Sequence, residues 1–374
     1  MPRPVAVDPR FGAELRRLRE LSSLTLRQLA EATSYSHTYL WELETGKKRP
    51  GGVDVAQRLD AALHSGGILA ALVTDTALDP DTASRIDSVA ARPRSIDAPA
   101  VDALRTILGQ QRRLDDAFGS APLIASTMSH LDIVRAGLAN VRGELRTDVL
   151  DLAAQWAQFA AWLHMASGLL GTAGELLDQA CGWAAETDDY EMLTTVLSYK
   201  GHQAWLAGDV GALIGLSTAS LRDHRAYVGQ RAYDHYQLAR GLALTGDDRA
   251  TDEALRVGSD LAAEAVEYHG PTPDWHYYRT PAFFALERGL ALQVGGRCGE
   301  AVEHLTSGLD DLEPGARRAE WVGDYLVHLG LAHEAAGERD EAGAAVIEAA
   351  SIAEATRSLR LARRAAELER RLGL

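Results

Sequence analysis

The sequence is poor in cysteine and has no long uncharged apolar run. Cys181 and Cys298 lie far apart in 374 residues, and neither has partners at metal-ligand spacing, so both are expected to be small buried thiols. No apolar stretch approaches the ~18–20 residues that cross a bilayer. The first residues, MPRPVAVDPR, lack the apolar core of a signal peptide. We therefore expect a cytoplasmic protein without disulfides or a membrane segment.

Motifs that carry enzyme chemistry are also missing. The twelve histidines form no HExxH or HxH set with carboxylates at ligand spacing. No GxSxG elbow is present, and the Gly-Asp segments such as GDDRATDEA resemble helix turns rather than phosphate-binding loops. The acidic residues are spread along helical patterns at solvent positions. We expect no catalysis, no metal and no cofactor.

Charge is distributed unevenly along the chain. Residues 1–74 carry ten Lys/Arg and eight Asp/Glu, a net charge of +2. Because the whole chain has a net charge of −15, residues 75–374 carry −17. An acidic surface repels nucleic acid, and any phosphate contact is therefore confined to the first segment. Residues 75–98, which are rich in Asp, Ser and Pro, read as a linker.

The first segment has the apolar spacing of five short helices. Thr25 precedes an apolar-periodic helix at 26–33, and Ser36 precedes another at 37–45 that Gly46 ends. The second of these helices begins with small polar residues, and three cations, Lys47 to Arg49, follow it. Two short helices, a tight turn, a polar leading face and adjacent cations are what a helix needs to enter the major groove of DNA. Taken alone, the cations favour a solvated surface and the aromatic residues favour packing.

The stretch from Leu24 to Pro50 resembles the lambda-repressor-like (Xre) helix-turn-helix family. The family pattern is met by Leu24-Thr25, Leu29-Ala30, Ser36, Leu40, Leu43-Glu44, Gly46 and Pro50. The resemblance implies base contacts from His37, Thr38 and Glu42, with Ser36 as the cap of the reading helix. It implies backbone contacts from Tyr39, Lys47, Lys48 and Arg49. Leu26 stands where the family often has a glutamine that grips DNA, so we expect the next residue, Arg27, to contact a phosphate. Trp41 is expected to pack against the flanking helix or a partner subunit.

From about residue 100 onward the pattern is almost purely helical and loosely repeated. A small residue is followed seven positions later by glycine and five positions after that by a small or apolar residue. The sets begin at Ala161, Gly201, Ala239, Gly289 and Gly330. Small residues let antiparallel helices approach, and each hairpin leaves an apolar face that a neighbouring hairpin covers. The expected fold is all-α, with a helix-turn-helix domain at 8–74, the linker at 75–98 and a stacked array at 99–374. A non-repeating bundle is the alternative.

The array resembles tetratricopeptide repeats, and helix-turn-helix units joined to such arrays occur in bacterial regulators of the RRNPP and actinobacterial types. The resemblance implies a ligand surface on the first helix of each repeat. The implied positions are Gln155, Gln158, Trp162, Ser198, His202, Tyr233, Tyr236, Arg240 and Phe283. A loop at 269–284 interrupts the repeat, and Trp275 and Tyr278 either touch ligand there or pack between repeats.

These features predict a transcription regulator, with repression the expected sign. It would bind a near-palindromic DNA operator as a homodimer and respond to a short peptide or a small molecule. Peptide-holding arrays use asparagine to clamp the ligand backbone, and the single asparagine, Asn140, lies outside the repeats, so peptide and small molecule stay equal alternatives. A scaffold that holds a partner protein and uses the small unit as a DNA tether is the second hypothesis, and an array that only dimerises is a third.

Overall fold

A computed structural model describes residues 6–7, 11–22, 24–63, 65, 68–74, 88–89, 96–313 and 315–374. Contacts divide the chain into two compact units, residues 1–91 with 313–318 and residues 92–312 with 319–374. Most of the expected linker at 75–98 lies outside the described residues. The domain limits taken from the sequence therefore stay a prediction.

The first unit is a small helical bundle with one short pair of strands. Its helices are α1 (Phe11–Leu21), α2 (Leu26–Thr33), α3 (His37–Glu44), α4 (Val53–Leu63) and α5 (Ile68–Leu72). The strands β1 (Ala6–Val7) and β2 (Val73–Thr74) pair antiparallel, with Ala6 opposite Thr74. The five predicted helices are confirmed, and the strand pair is an addition that the sequence pattern did not indicate.

Local capping fixes the turn between α2 and α3. The Thr25 hydroxyl accepts from the Gln28 amide while the Gln28 side chain accepts from the Thr25 amide, a reciprocal capping box. Ser34 ends α2 in the left-handed conformation with φ of 60°. The Ser36 side chain then accepts from the Tyr39 amide at the start of α3. The chain reverses within two residues, so α3 leaves the turn in a defined direction.

Helix α3 is held against α1 by a buried ion pair. Arg19 donates from Nε and Nη2 to both carboxylate oxygens of Glu44, at 2.6 and 3.0 Å, and its Nη1 donates to the carbonyl of Leu24. Leu40 and Leu43 of α3 are buried in the core. The end of α3 is therefore held against α1, while His37 and Thr38 at its start are exposed.

Gly12 allows α1 to lie against the last turn of α3, which gives a prediction. A Cβ added there would stand 2.4 Å from the Leu43 carbonyl oxygen and 2.8 Å from that of Glu44. Gly12→Ala is therefore expected to destabilise the first unit by ~1–3 kcal/mol, because backbone must shift. Hydrogen exchange of the full chain should show lost protection in residues 11–45.

The control for this substitution is Gly109→Ala, at an exposed position inside a helix where no atom lies within 4 Å of the added Cβ. It should leave exchange in residues 11–45 unchanged, and it slightly favours its own helix. Equal protection in Gly12→Ala and the wild type would show that the close approach of α1 and α3 is wrong.

The second unit is an array of helical hairpins. Helices α6 (Ala98–Phe118) and α7 (Ile124–Leu138) come first. Five hairpins follow, α8 (Gly143–Ala166) with α9 (Leu170–Glu186), α10 (Tyr190–Ala207) with α11 (Val210–Ser220), α12 (Val228–Thr245) with α13 (Asp248–Glu267), α14 (Pro281–Val294) with α15 (Cys298–Asp310), and α16 (Glu320–Ala336) with α17 (Arg339–Thr356). Helix α18 (Leu359–Leu372) ends the chain.

The repeat read from the sequence matches these hairpins one for one. The glycine of each set occupies the left-handed region at the turn between the paired helices, with φ from 74° to 82° at Gly168, Gly208, Gly246, Gly296 and Gly337. Within the hairpins, a Cβ on Gly289 would stand 2.7 Å from Leu305. The all-α fold and the stacked array are therefore confirmed, and the alternative of a non-repeating bundle is wrong.

The two ends of this unit meet. The Ser120 amide, just after α6, donates to the Glu320 carboxylate at the start of α16 at 2.9 Å. Arg360 of α18 donates from Nε to the Ala166 carbonyl at the end of α8 at 2.9 Å. These contacts join segments about 200 residues apart, and the first helices of the hairpins lie side by side inside the closed array.

Residues 269–280, which we call the strap, close the array from one side. The Trp275 indole donates to Thr195 of α10 at 3.1 Å, and the Tyr277 hydroxyl donates to Asp116 of α6 at 2.6 Å. The strap thus bridges helices that are far apart in sequence, and it accounts for the long spacing between the third and fourth repeat sets.

Two further expectations concern the cysteines and the membrane. Cys181 and Cys298 are free and only partly buried, so full burial of both thiols was wrong. Among the helices that the structure describes, none is long and apolar enough to cross a membrane. The same residues contain no cluster of three or more His, Cys, Asp or Glu side chains suited to a metal ion.

Candidate functional site

The leading turn of α3 presents an uncovered polar face. His37 and Thr38 are exposed, and Ser36 is exposed while it caps the helix. Four free amides at a helix start favour negative charge. Arg27 of α2 is exposed as well. His37 and Thr38 are therefore accessible to bases, whereas Glu42, the third residue expected to read them, is half-buried.

The cations that follow α3 lie near its aromatic residues. Lys47 Nζ stands 4.2 Å from the centroid of the Trp41 ring, and Lys48 Nζ stands 5.3 Å from that of Tyr39. Lys48 also lies 3.7 Å from Glu42, and Arg49 is exposed. Such exposed pairs are weak and exchange readily for phosphate. Trp41 is 41% exposed, so the packing expected of it is not found within its own unit, and packing against a partner subunit stays a prediction.

A cavity of about 120 Å³ lies inside the closed array of the second unit. This is room for on the order of ten water molecules. Its walls come from α6, from the first helix of every hairpin, from the strap and from α18. Eleven Phe, Trp and Tyr side chains line it: Phe159, Trp162, Tyr199, Trp205, Tyr233, Trp275, Tyr277, Tyr278, Phe283, Trp321 and Tyr325. Aromatic walls with a few polar groups are typical of a small-ligand site.

One end of the cavity carries two adjacent carboxyl groups from α6. Asp115 accepts from the Trp162 indole at 2.6 Å, and burial raises its pKa to about 7. Asp116 accepts from the Tyr277 hydroxyl, and burial raises its pKa to about 6. Arg112 lies one turn earlier, where burial lowers its pKa to about 10. Both carboxyl groups thus hold their protons more tightly than a solvated aspartate does.

Another part of the cavity lining contains a buried arginine and glutamate. Arg240 of α12 and Glu287 of α14 are 1% and 3% exposed, and their Nη2 and Oε2 atoms are 3.4 Å apart. Tyr325 of α16 donates its hydroxyl to the other Glu287 oxygen at 2.5 Å. The Arg240 guanidinium lies over the rings of Trp205 and Tyr233, at 5.5 and 5.8 Å.

A second charged cluster is satisfied within the protein. Asp324 of α16 accepts from both Arg360 and Arg364 of α18. Although burial raises it, the pKa of Asp324 is held well below its usual range by these two cations. His328 accepts from Arg364 on one ring nitrogen, and burial lowers the pKa of this histidine to about 3. The imidazole is therefore neutral and serves as a hydrogen-bonding link.

Eight of the eleven ligand positions expected from the sequence line this cavity. They are Gln158, Trp162, His202, Tyr233, Arg240, Trp275, Tyr278 and Phe283. The other three face elsewhere: Gln155 donates to Asp151, Ser198 donates to Asp234, and the Tyr236 hydroxyl meets Ser259. Whether the eight bind a ligand stays a prediction.

Sequence reasoning missed the charged residues of the cavity. Arg112, Asp115 and Asp116 precede the first repeat set, but two of them continue the apolar stripe of Leu104 and Leu108 at helical spacing. A charged residue on such a stripe is a signal for a buried polar site. Asp324 lies six residues before Gly330, just as Gln155 lies six residues before Ala161. The spacing used to choose ligand positions in the first repeat would therefore have selected Asp324 in the fifth.

The chain combines two parts. The first unit is a helical bundle in which the start of α3 is exposed, and the second unit is a hairpin array around a cavity lined by aromatic and polar side chains. Residues 10–73 match the family described as a helix-turn-helix domain. These residues are therefore a helix-turn-helix domain, and the resemblance seen in the sequence is confirmed for them.

The other comparisons are sparse. No curated protein matches the chain significantly. Among solved structures, the chain is similar to the crystal structure of Bacillus thuringiensis PlcR in complex with the peptide PapR7 and DNA. The two share 14% identity over 96% of this chain and 99% of that chain, with a TM-score of 0.32. A likeness this distant carries no inference about this protein.

Proposed function

We propose that this protein is a DNA-binding transcription regulator that senses a small effector in the cavity of its helical array. The helix-turn-helix domain supports DNA binding, and the enclosed cavity supports the sensor role. The exposed leading turn of α3, with His37 and Thr38 uncovered and capped by Ser36, is the observation that carries the proposal. The regulator acts in the cytoplasm as a homodimer that represses, because one unit of small net charge binds DNA weakly and steric blockage needs no polymerase contact.

The cavity favours a small molecule over a peptide of several residues. Its volume of about 120 Å³ holds on the order of ten waters, which is less than an oligopeptide occupies. Closure by the strap and by the joined ends of the array also limits the length of any occupant. Effector binding changes DNA affinity to the extent that the effector binds the DNA-competent and incompetent states differently.

A gel shift of the full-length protein on the DNA upstream of its own gene tests the proposal. We expect a shifted band at low salt, and a changed band intensity when deproteinised cell extract is added. DNA binding that extract leaves unchanged would remove the sensor role. Absence of binding to every duplex at low ionic strength would remove the regulator.

Lys48 is expected to contact the phosphate backbone, so Lys48→Ala should weaken binding about equally for all sequences. The slope of log affinity against log salt concentration should fall by about one, because one fewer counterion is released. The control is Lys200→Ala, which removes a lysine of the array that pairs with Asp178 and should leave the slope unchanged. A sequence-dependent loss in Lys48→Ala would assign it to base reading instead.

The scaffold hypothesis makes a different prediction. A scaffold would bind a partner protein on the outer surface of the array, and substitutions inside the cavity would leave that binding intact. The enclosed polar cavity favours the sensor. Purification from cells with a stoichiometric protein partner, together with DNA binding that no small molecule changes, would favour the scaffold.

A further inference from the structure

Arg240 and Glu287 carry hydrogen-bonding atoms that nothing in the described structure satisfies. The Nε and Nη2 atoms of Arg240 and the Oε2 atom of Glu287 are buried and lack a hydrogen-bond partner among the described residues. The Arg240–Glu287 distance of 3.4 Å is too long for a good charge-assisted bond. Unsatisfied buried charge is costly, so these atoms indicate that a bound molecule completes the site.

The unsatisfied donors of Arg240 define the group that it accepts. The Nε–H and a terminal N–H of a guanidinium lie parallel along one edge and bind both oxygens of a carboxylate. A carboxylate alone on that edge would lie beside Glu287, which repels it. An amine alone beside Glu287 would lie next to the Arg240 cation. A molecule with both charges close together satisfies both residues.

We infer that the cavity binds a zwitterionic α-amino acid, whose carboxylate accepts from Arg240 and whose ammonium donates to Glu287. One carbon atom separates the two charged groups of such a molecule, which matches the short distance between the two protein groups. The inference rests on the proposed sensor function and names its ligand class.

The rest of the cavity suits the body of an amino acid. Trp205 and Tyr233 flank the Arg240 guanidinium, and Phe283 and Leu290 also line the wall. These rings offer apolar contact for a side chain and a favourable face for the ammonium. The polar groups of Asp324 and His328 are already satisfied within the protein, so they leave the charged groups of a ligand to Arg240 and Glu287.

The test is isothermal titration of the full-length protein with each of the twenty free L-amino acids. At least one is expected to bind with a Kd below ~1 mM. Its decarboxylated amine and its N-acetyl derivative should each bind at least ~100-fold more weakly, because each leaves one buried protein charge unpaired. Absence of binding by all twenty, or equal binding by an analogue that lacks one charge, would overturn the inference.

Two variants place the ligand at these residues. Glu287→Gln keeps an oxygen for the Tyr325 hydroxyl, and Arg240→Lys keeps a positive charge without the two-donor edge. Each should weaken amino-acid binding at least ~30-fold. The control Arg288→Lys changes the next residue of α14, which contacts His304 and Ser259 outside the cavity, and should bind as the wild type does. Wild-type affinity in a folded Glu287→Gln variant would also overturn the inference.

Failure of this inference is distinguishable from failure of the proposed function. If cell extract changes DNA binding while no amino acid binds, the regulator stands and its effector belongs to another chemical class. If an amino acid binds but no duplex does, the ligand assignment stands and the regulatory role fails.

Discussion

Replacing Asp324 with alanine is expected to lower the unfolding free energy of the helical array by about 3 kcal/mol, a drop in melting temperature of about 5–10 °C. Asp324 joins α16 to Arg360 and Arg364 of α18, and Arg360 continues to the carbonyl of Ala166 at the end of α8. Removal of the carboxylate leaves two arginines facing each other without an anion. Differential scanning fluorimetry of the full chain measures the shift.

The ion pairs of Asp324 with Arg360 and Arg364 also predict that stability depends on pH. Because the pKa of Asp324 is held below its value in the unfolded chain, its contribution is fully present above the unfolded pKa of about 4 and is lost as pH falls further. The difference in stability between wild type and Asp324→Ala should therefore shrink below pH ~4.

An exposed ion pair supplies the control for Asp324. Asp252 pairs with Arg297 on the surface, where the side chains are 66% and 38% exposed. Asp252→Ala should cost less than ~1 kcal/mol. If the two alanine variants melted at the same temperature, the idea that Asp324 secures the end of the array would be wrong.

The double substitution His37→Ala with Thr38→Ala is expected to abolish sequence preference while general DNA affinity persists. Each well-formed base contact contributes ~1–3 kcal/mol of discrimination, so loss of two per reading helix should lower the ratio of specific to non-specific binding by ~100-fold or more. Both residues are exposed in the first turn of α3, so the fold should be unaffected. Selection from random duplexes should enrich a motif with the wild type and none with the variant.

A matched pair in the array provides the control. His224 and Thr218 are exposed there, and their joint replacement by alanine should leave the selected motif and the affinity unchanged. Enrichment of the wild-type motif by the His37/Thr38 variant would show that other residues read the bases, with Glu42 the next candidate.

Local signals in the sequence were sufficient for the elements of this fold. Capping at Thr25 and Ser36 and the left-handed glycines at the hairpin turns depend on residues a few positions apart, and such short-range chemistry is readable without a structure. The first helix of each repeat was therefore placed correctly, and six of the nine ligand positions assigned to these helices line the cavity.

The closure of the array was beyond the reach of the sequence. Tyr277 meets Asp116 across 161 positions, and Ser120 meets Glu320 across 200. No periodic pattern connects such partners, so the role of α6 in the cavity and the course of the strap were not predicted. The exposed position of Trp41 was missed for a different reason, since a large aromatic residue is ordinarily buried.

The strap has a consequence for timing. Trp275 and Tyr277 line the cavity and are bonded to Thr195 and Asp116, so an occupant that passes the strap must displace these bonds. Both arrival and departure are then slower than free diffusion permits. A molecule once enclosed would outlast brief fluctuations in its supply, so the protein would report the sustained abundance of that compound rather than its momentary level.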